Sequence, residues 1–555
     1  VAQALRRALI RRSLPPGSTE RRWRGWPVWL ACVPVALIVG PVLPGLYWAL
    51  APAVDGAVWQ ALWADVQWPQ ALRATLVSTV LGTALGVALA AGLASALYPG
   101  PRWRVWQRRL PLLLSVPHAA FAVGLFFLLS PSGWLARAVA PLVGWLEPPP
   151  WTTVQDPWGL SLALALGLKE SAFLLWMLVA VLGEQAVQRQ MVVARSLGYS
   201  RAQAWRRVLW PQLLPRLGWP LAAVLAYSLS VVDMAVILGP STPPTLAVLA
   251  WQWLSDPDAA TQARGAAAAL VLLGLLLLLA GLARAAWWLL VRRAAYPAGE
   301  RRPAARPWRL ALLQPLALAG YAVVAVLLLW SLADRWFFPA LWPDVLTLRS
   351  WAQADWQPFR TTLWLAAAAT LLCLPVALVW LEWGPPRYNA VLYVPLIIPA
   401  LPLVAAQYAA LLRLQGDGTA LGLVWSHLLW VLPYMVLTLV GPYRAFDHRF
   451  TTTARALGLS PLGACWRVKW PMLLKPILAA LAVGFAVSVA QYLPTLFAGG
   501  GRFVTVTTEA VALSAGGNRR VLAVQALLQI ALPLLAFGLA ALLVQWAGRH
   551  RKGLR

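Results

Sequence analysis

The chain has 555 residues, 61% of them hydrophobic and only 12% charged, at a mean hydropathy of +0.68. Soluble domains carry ~25% charged residues, so this composition excludes a water-soluble fold and implies a polytopic membrane protein, whose 35 tryptophans suit the aromatic belts at membrane interfaces. A formal charge of +28 would point to nucleic acid in a polar chain, but here the bases lie between apolar runs and follow the positive-inside rule, so the expected partner is the lipid bilayer and not nucleic acid.

Arg6, Arg7, Arg11, Arg12, Arg21, Arg22 and Arg24 precede the first apolar run. That run is longer than the 7–15-residue core of a cleavable signal, so an uncleaved anchor is expected rather than cleavage after Ala51-Pro52-Ala53. A spanning helix takes ~20 mostly apolar residues. Candidates lie at about 27–50, 72–98, 110–130, 160–183, 217–240 and 266–291, and again at about 309–333, 360–381, 389–412, 420–441, 476–498 and 521–547. The Arg/Pro stretch 292–308 between the two sets reads as a linker. The expected organisation is therefore a basic N-terminal segment 1–26, a first half 27–291, the linker 292–308, a second half 309–547 and a tail 548–555.

With both termini placed in the cytoplasm, the inner segments hold 35 of the 46 Lys and Arg but 5 of the 18 Asp and Glu. That bias supports the count and the orientation together. Six crossings per half is an even number, so the halves run the same way, as parallel repeats. The fold class expected is all-α and polytopic, with about 12 transmembrane helices in two six-helix repeats.

Two of the inner segments, 184–216 and 442–476, are nearly the same loop. Between 191–214 and 451–474, 12 of 24 residues are identical at a fixed offset of 260. The shared positions include Ala194, Arg195, Gly198, Val208 and Pro211 in one copy and Ala454, Arg455, Gly458, Val468 and Pro471 in the other. Weaker correspondences pair Arg73–Leu76 with Arg360–Leu363, Pro117 with Pro399, and Ser230–Asp233 with Ser488–Gln491. Glycine adopts positive φ without the ~1–2 kcal/mol other residues pay, so Gly198 and Gly458 are expected to stop one helix and turn the chain. Ser200 and Ser460 suit the N-cap of a second short helix, and Pro211 and Pro471 the start of the next. Holding orientation needs only charge; it does not need Gly and Pro at a fixed separation.

The spacing resembles the cytoplasmic EAA loop of ABC importer permeases, E-A-A-x3-G-x9-I-x-L-P. Ala194, Gly198, Val208 and Pro211 fit, as do Ala454, Gly458, Val468 and Pro471, whereas the leading Glu is Val192 or Thr452, the second position Val193 or Thr453, and the Leu before Pro is Trp210 or Trp470. More widely, Lys169–Trp176, Leu229–Pro244, Ala482–Gly500 and Thr507–Gly517 resemble fused permeases of binding-protein-dependent importers, similar in layout to the fused thiamine and ferric-iron permeases. The resemblance implies a bacterial inner-membrane permease with both family domains in one chain, two separate ATPase subunits gripping the loops, and a periplasmic solute-binding protein.

The chemistry the sequence lacks agrees with a non-enzymatic role without cofactors. None of the four lysines (Lys169, Lys469, Lys475, Lys552) follows a glycine, so a Walker A motif cannot exist here. His118, His427, His448 and His550 are scattered, and Cys32, Cys373 and Cys465 have no ligand spacing. The competing reading is a twelve-span secondary transporter driven by an ion gradient, but the inner loop Pro99–Arg104 lacks the Gly/Asp/Arg signature of that class. An enzyme acting on lipid-linked sugars would need clustered acids, and Asp256, Asp258, Asp334, Asp344 and Asp355 lie dispersed. Within the spans, Asp233 and its counterpart Gln491 are candidates to line a translocation path. Lys169 and Glu170 are expected to form a structural ion pair, with each other or across the bundle, and Glu382 to be solvated. The loops 239–244 and 499–502 suit docking of a binding protein or a plain turn. The solute stays open among thiamine-like compounds, ferric iron and oxyanions.

Overall fold

Apolar runs separated by Pro and Gly fold here as helices that pack on one another and, in several places, break. The computed structural model describes residues 28–183, 185–294, 318–385, 388–516 and 518–549. The expected basic segment 1–26, most of the linker 292–308 and most of the tail 548–555 lie outside the described residues. Among those described there is no β-strand, only an isolated bridge between Ala333 and Leu346. The chain is an all-α polytopic membrane protein.

Several of the expected spans are broken. Among the described residues, eight helical stretches are long and apolar enough to cross a membrane, and ten are counted if two sharply bent pairs each make one span. The expected span 217–240 is split into Gly218–Ser230 and Asp233–Leu238, because Val231 leaves the helix with ψ of 128°. Of 309–333, the helix Ala319–Leu332 is described, which is too short by itself, and 309–317 lie outside the described residues. The span 389–412 bends by 106° before Ala400. The span 110–130 breaks at Val116-Pro117 between helices Pro101–Ser115 and His118–Leu129. Proline explains this last break: Pro117 has no N–H to give, and it pushes Val116 to extended backbone, with ψ of 115°. Finally, 476–498 divides into Leu474–Val489 and Leu493–Gly499.

A broken span leaves backbone groups unpaired in an apolar environment, which costs several kcal/mol per group unless a neighbour satisfies them. Each break has such a neighbour: before Ala400 it is Ser230 Oγ, which accepts from Ala400 N–H (3.0 Å), and at 490–492 it is Thr507 Oγ1, which donates to the Val489 carbonyl (2.5 Å). Lys169 Nζ donates to the carbonyls of Leu113 (3.0 Å) and Val116 (2.5 Å) at the end of one helix, while Glu170 pairs with His118 Nε2 (3.2 Å) at the start of the next. Lys169 and Glu170 thus do not pair with each other. They straddle the break, positive charge at a helix C-terminus and negative charge at an N-terminus, as the helix dipoles favour. Across the break at 490–492, the buried His427 ring bridges Ser488 Oγ (2.8 Å) and Thr495 Oγ1 (3.0 Å). Thr79 Oγ1 donates to the Ser228 carbonyl (3.2 Å) before the break at 231–232.

The helices that follow two of these breaks cross over to the other part of the chain. His118–Leu129 packs on Ala319–Leu332 and Arg519–Arg549, and Ala400–Arg413 packs on Val42–Leu50. Both contacts are made at a glycine. A Cβ built on Gly124 would lie 2.4 Å from Val323 Cγ1, and one on Gly45 would lie 2.1 Å from the Ala406 carbonyl oxygen. From the short helix Trp134–Val143, buried Arg137 also reaches across, donating to the carbonyls of Phe337 and Ala340 at 2.8 Å.

Asp156 anchors the loop before the Leu160–Leu182 helix. Its carboxylate accepts from the N–H groups of Trp158 (3.1 Å), Leu160 (2.9 Å) and Ser161 (2.9 Å). Burial pushes this carboxyl up, but the bonds from Ser161, Leu160 and Trp158 together pull harder and hold it below the ordinary carboxylate range. A depressed folded pKa adds stability above the unfolded value of about 3.9, and that stability is lost as pH falls through the folded value. Asp156→Asn is therefore expected to cost about 2 kcal/mol at pH 7. Thermal unfolding of the purified protein should show the gap between wild type and variant narrowing as pH falls below the unfolded carboxylate value of about 3.9.

Candidate functional site at the paired glycine elbows

The two repeated loops have the same backbone. Helix Gln185–Ser196 ends at Gly198 with φ of +84°, and helix Arg449–Ala456 ends at Gly458 with φ of +90°. Tyr199 N–H bonds the Ala194 carbonyl (3.1 Å) and Gly198 N–H the Arg195 carbonyl (3.0 Å); Leu459 with Ala454 (3.1 Å) and Gly458 with Arg455 (3.0 Å) repeat the arrangement. This is the Schellman pattern, in which a left-handed residue lets two carbonyls at a helix end find donors. Ala194, Arg195, Ala454 and Arg455 thus supply those acceptors.

Ser200 and Ser460 then cap the short helices Arg201–Ala204 and Pro461–Ala464, accepting from Gln203 N–H (3.3 Å) and Gly463 N–H (3.1 Å). Both helices widen into a π turn, at Trp205–Leu209 and Cys465–Lys469, before Pro211 and Pro471 enter the next helix. The proline ring would collide with the carbonyl four residues back, and a turn closed five residues apart opens room for it. Val208 and Val468 lie inside these π turns. The π turns are not foreseen from the Gly-to-Pro spacing, although a proline at the end of an otherwise helical stretch is their signal.

Each elbow is tied to two helix ends, by different chemistry. In the first, Arg201 Nη2 (2.5 Å) and Trp205 Nε1 (3.4 Å) donate to the Tyr98 carbonyl, and Tyr98 Oη donates to Leu182. Burial, and then the neighbouring Arg195, hold the Arg201 pKa below its ordinary value. In the second, Lys469 Nζ meets Glu382 Oε2 at 2.5 Å, with side chains 3% and 9% exposed. Glu382, expected in solvent, is therefore buried, because its counter-ion sits in the π turn of the loop. Trp470 Nε1 adds a bond to Tyr443 Oη (2.7 Å). The adjacent Cys465 thiol is pushed up to about 12 by burial and by the Glu382 carboxylate, so it stays protonated and unreactive.

Each elbow exposes apolar side chains among arginines, Arg195 and Arg206 in the first and Arg449, Arg455 and Arg467 in the second. Val192, Val193 and Leu197 are exposed in the first, and Phe450, Trp466 and Leu457 in the second, Leu457 at 81%. In the second elbow Asp447, Phe450, Thr453, Ala454, Leu457 and Val468 line an open groove of about 670 Å³. The two path candidates lie elsewhere: Asp233 is buried at the start of its helix, and Gln491 is half-buried in the break at 490–492. The side chain within electrostatic reach of Asp233 from the other part of the chain is Tyr492, next to Gln491. Among the described residues no three His, Cys, Asp or Glu side chains gather as a metal site would require.

No protein-family model matches the chain. The inner membrane ABC transporter permease protein YnjC of Escherichia coli (strain K12) is 43% identical over 531 residues, which is 95% of this chain and 98% of that protein. The chain belongs to the permease family of ABC transporters. Molybdenum transport system permease proteins ModB of Mycobacterium bovis and Mycobacterium tuberculosis are each 29% identical over 215 residues, 34% of this chain and 78% of theirs. The permease is accordingly a multi-pass inner-membrane protein and the non-catalytic, membrane-spanning subunit of an importer. Permeases of this kind work with ATPase and binding-protein partners. Tyr98 and Tyr443, which help to hold the elbows in place, are not singled out by sequence, and Glu382 is, but as a solvated charge.

Proposed function

We propose that the permease carries both transport halves in one polypeptide, 27–291 and 309–547, and that each elbow receives one of two ATPase subunits on the cytoplasmic side. In this reading the chain crosses the membrane about twelve times as two parallel six-helix repeats, counting broken spans as crossings, with both termini inside. The segment 292–308 is then a cytoplasmic linker. ATP binding draws the two ATPases together, the elbows at Gly198 and Gly458 follow, and the halves rock to open a path for solute delivered by a periplasmic binding protein. Each state is favoured by differential contacts with nucleotide and partner. Asp233 and Gln491 lie beside the path.

The observation that carries this reading is the recurrence, 260 residues apart, of one backbone elbow with exposed apolar residues at its tip. Apolar side chains held on a polar loop mark a protein contact. The leading Glu of the EAA consensus is absent, so docking here rests on shape and apolar burial rather than on that charge. Likeness to the molybdenum permeases covers 34% of this chain, too little to carry an oxyanion cargo across to it.

Single cysteines at Leu197 and Leu457 test the arrangement. Both are expected to crosslink to the ATPase of the same importer and to resist a membrane-impermeant thiol reagent added to intact cells. Labelling of either position from the outside would overturn the proposed orientation, and failure to reach the ATPase from both would overturn the docking.

A further inference from the structure

Six polar side chains that the elbows do not use gather where the broken helices of the two parts meet. His118, Glu170, Tyr227 and Asp233 come from one part, Tyr434 and Tyr492 from the other. The His118 ring stacks 4.6 Å from that of Tyr227, and His118 Nε2 stands 3.2 Å from Glu170 Oε1. Asp233 lies within electrostatic reach of His118, Tyr227 and Tyr492, and Glu170 within reach of Tyr227 and Tyr434. Ser230 Oγ accepts from Ala400 N–H at 3.0 Å, which places the cluster at the joint between the parts.

Three features mark this cluster as a receptor rather than a brace. Asp233 is 8% exposed, and its carboxylate has no Lys, Arg or His within ion-pair distance among the described residues; it takes only backbone N–H groups at the start of its own helix. The hydroxyls of Tyr227, Tyr434 and Tyr492 likewise have no hydrogen-bond partner among the described residues. A buried carboxylate without a counter-charge costs free energy unless something pairs with it, and the three hydroxyls are not sealed in the core, so they face space that a solute can enter. Finally, the His118 side chain is 31% exposed although it is stacked inside the bundle, so the cluster borders open space. Lys169, the neighbouring base, is turned to the carbonyls of Leu113 and Val116 and does not neutralise Asp233.

We propose that this seam binds an organic cation in transit, with Asp233 as counter-charge and Tyr227, Tyr434 and Tyr492 supplying aromatic faces and hydroxyls. A carboxylate among tyrosine rings is the environment that favours a cationic nitrogen. An oxyanion would face two carboxylates, and a metal ion would need a ligand set that the described residues do not assemble. The inference rests on the permease reading above and deepens it to a solute class.

The test uses the whole permease in detergent, with phenyltrimethylammonium as the probe. This cation is expected to raise the unfolding midpoint by about 2 °C or more at saturation, and tert-butylbenzene, its neutral isostere, is not. Asp233→Asn, which keeps an acceptor at the helix start, should weaken the apparent affinity about tenfold while the protein still co-purifies with its ATPase. Tyr492→Phe, which keeps the ring, should weaken it less. Equal response in Asp233→Asn, stabilisation by molybdate or by ferric citrate in place of the cation, or no response to any probe would each overturn the proposal. Loss of ATPase co-purification in the wild type would instead count against the permease assembly, and so separates the two readings.

Discussion

Valine at both Gly198 and Gly458 is expected to abolish co-purification with the ATPase, or its coupling to transport, and to leave membrane insertion intact. The reason is backbone strain rather than volume. Both glycines sit at strongly positive φ, and a Cβ built on Gly458 meets nothing within 4 Å. A β-branched residue in this conformation costs ~1–2 kcal/mol or more at each site, and the elbow relieves it by giving up the two carbonyl bonds that close it. The transmembrane helices do not depend on those bonds. Asparagine, which visits the left-handed region most readily among other residues, should restore binding in the same double background, whereas alanine should fall between. Pull-down with the ATPase, ATP hydrolysis by the reconstituted complex and solute uptake in vesicles read the three parts separately. Normal uptake by the double valine variant would refute the coupling role of the elbows.

Removing one member of the Lys469–Glu382 pair destabilises the permease more than any surface change. The two side chains are 3% and 9% exposed and 2.5 Å apart. Such a pair is a poor source of net stability, because desolvation offsets most of the attraction, but stranding one charge costs ~3–5 kcal/mol. Glu382→Gln and Lys469→Met should each lower the unfolding midpoint sharply. The double variant Glu382→Leu with Lys469→Met should recover to within about 1 kcal/mol of wild type, since Trp470 still reaches Tyr443 at 2.7 Å and holds the elbow. Thermal unfolding of the four proteins closes a double-mutant cycle. If the double variant is as unstable as either single one, the pair is not the cause. The corresponding tie in the first elbow runs to the uncharged Tyr98 carbonyl, so Arg201→Met should cost less.

Much of this could be read from the chain alone, for a physical reason: the features concerned are local. The apolar runs must be helical in a bilayer whatever surrounds them. Gly198 and Gly458 turn the chain because glycine alone pays nothing at positive φ, and Ser200 and Ser460 cap the next helix through bonds spanning three residues. Matching spacing at a fixed offset is enough to point to the family.

The rest depended on groups distant in sequence. Whether Lys169 pairs with Glu170 or with carbonyls 53 and 56 residues away, and whether Glu382 is solvated or meets a lysine 87 residues on, is decided by which helices become neighbours. Hydropathy counts a broken span and an unbroken one alike, since both are apolar over the same length. It is the donors and acceptors brought from other helices, such as Lys169 at the break after Ser115, that make a break tolerable in an apolar setting, and those exist only once the chain has packed.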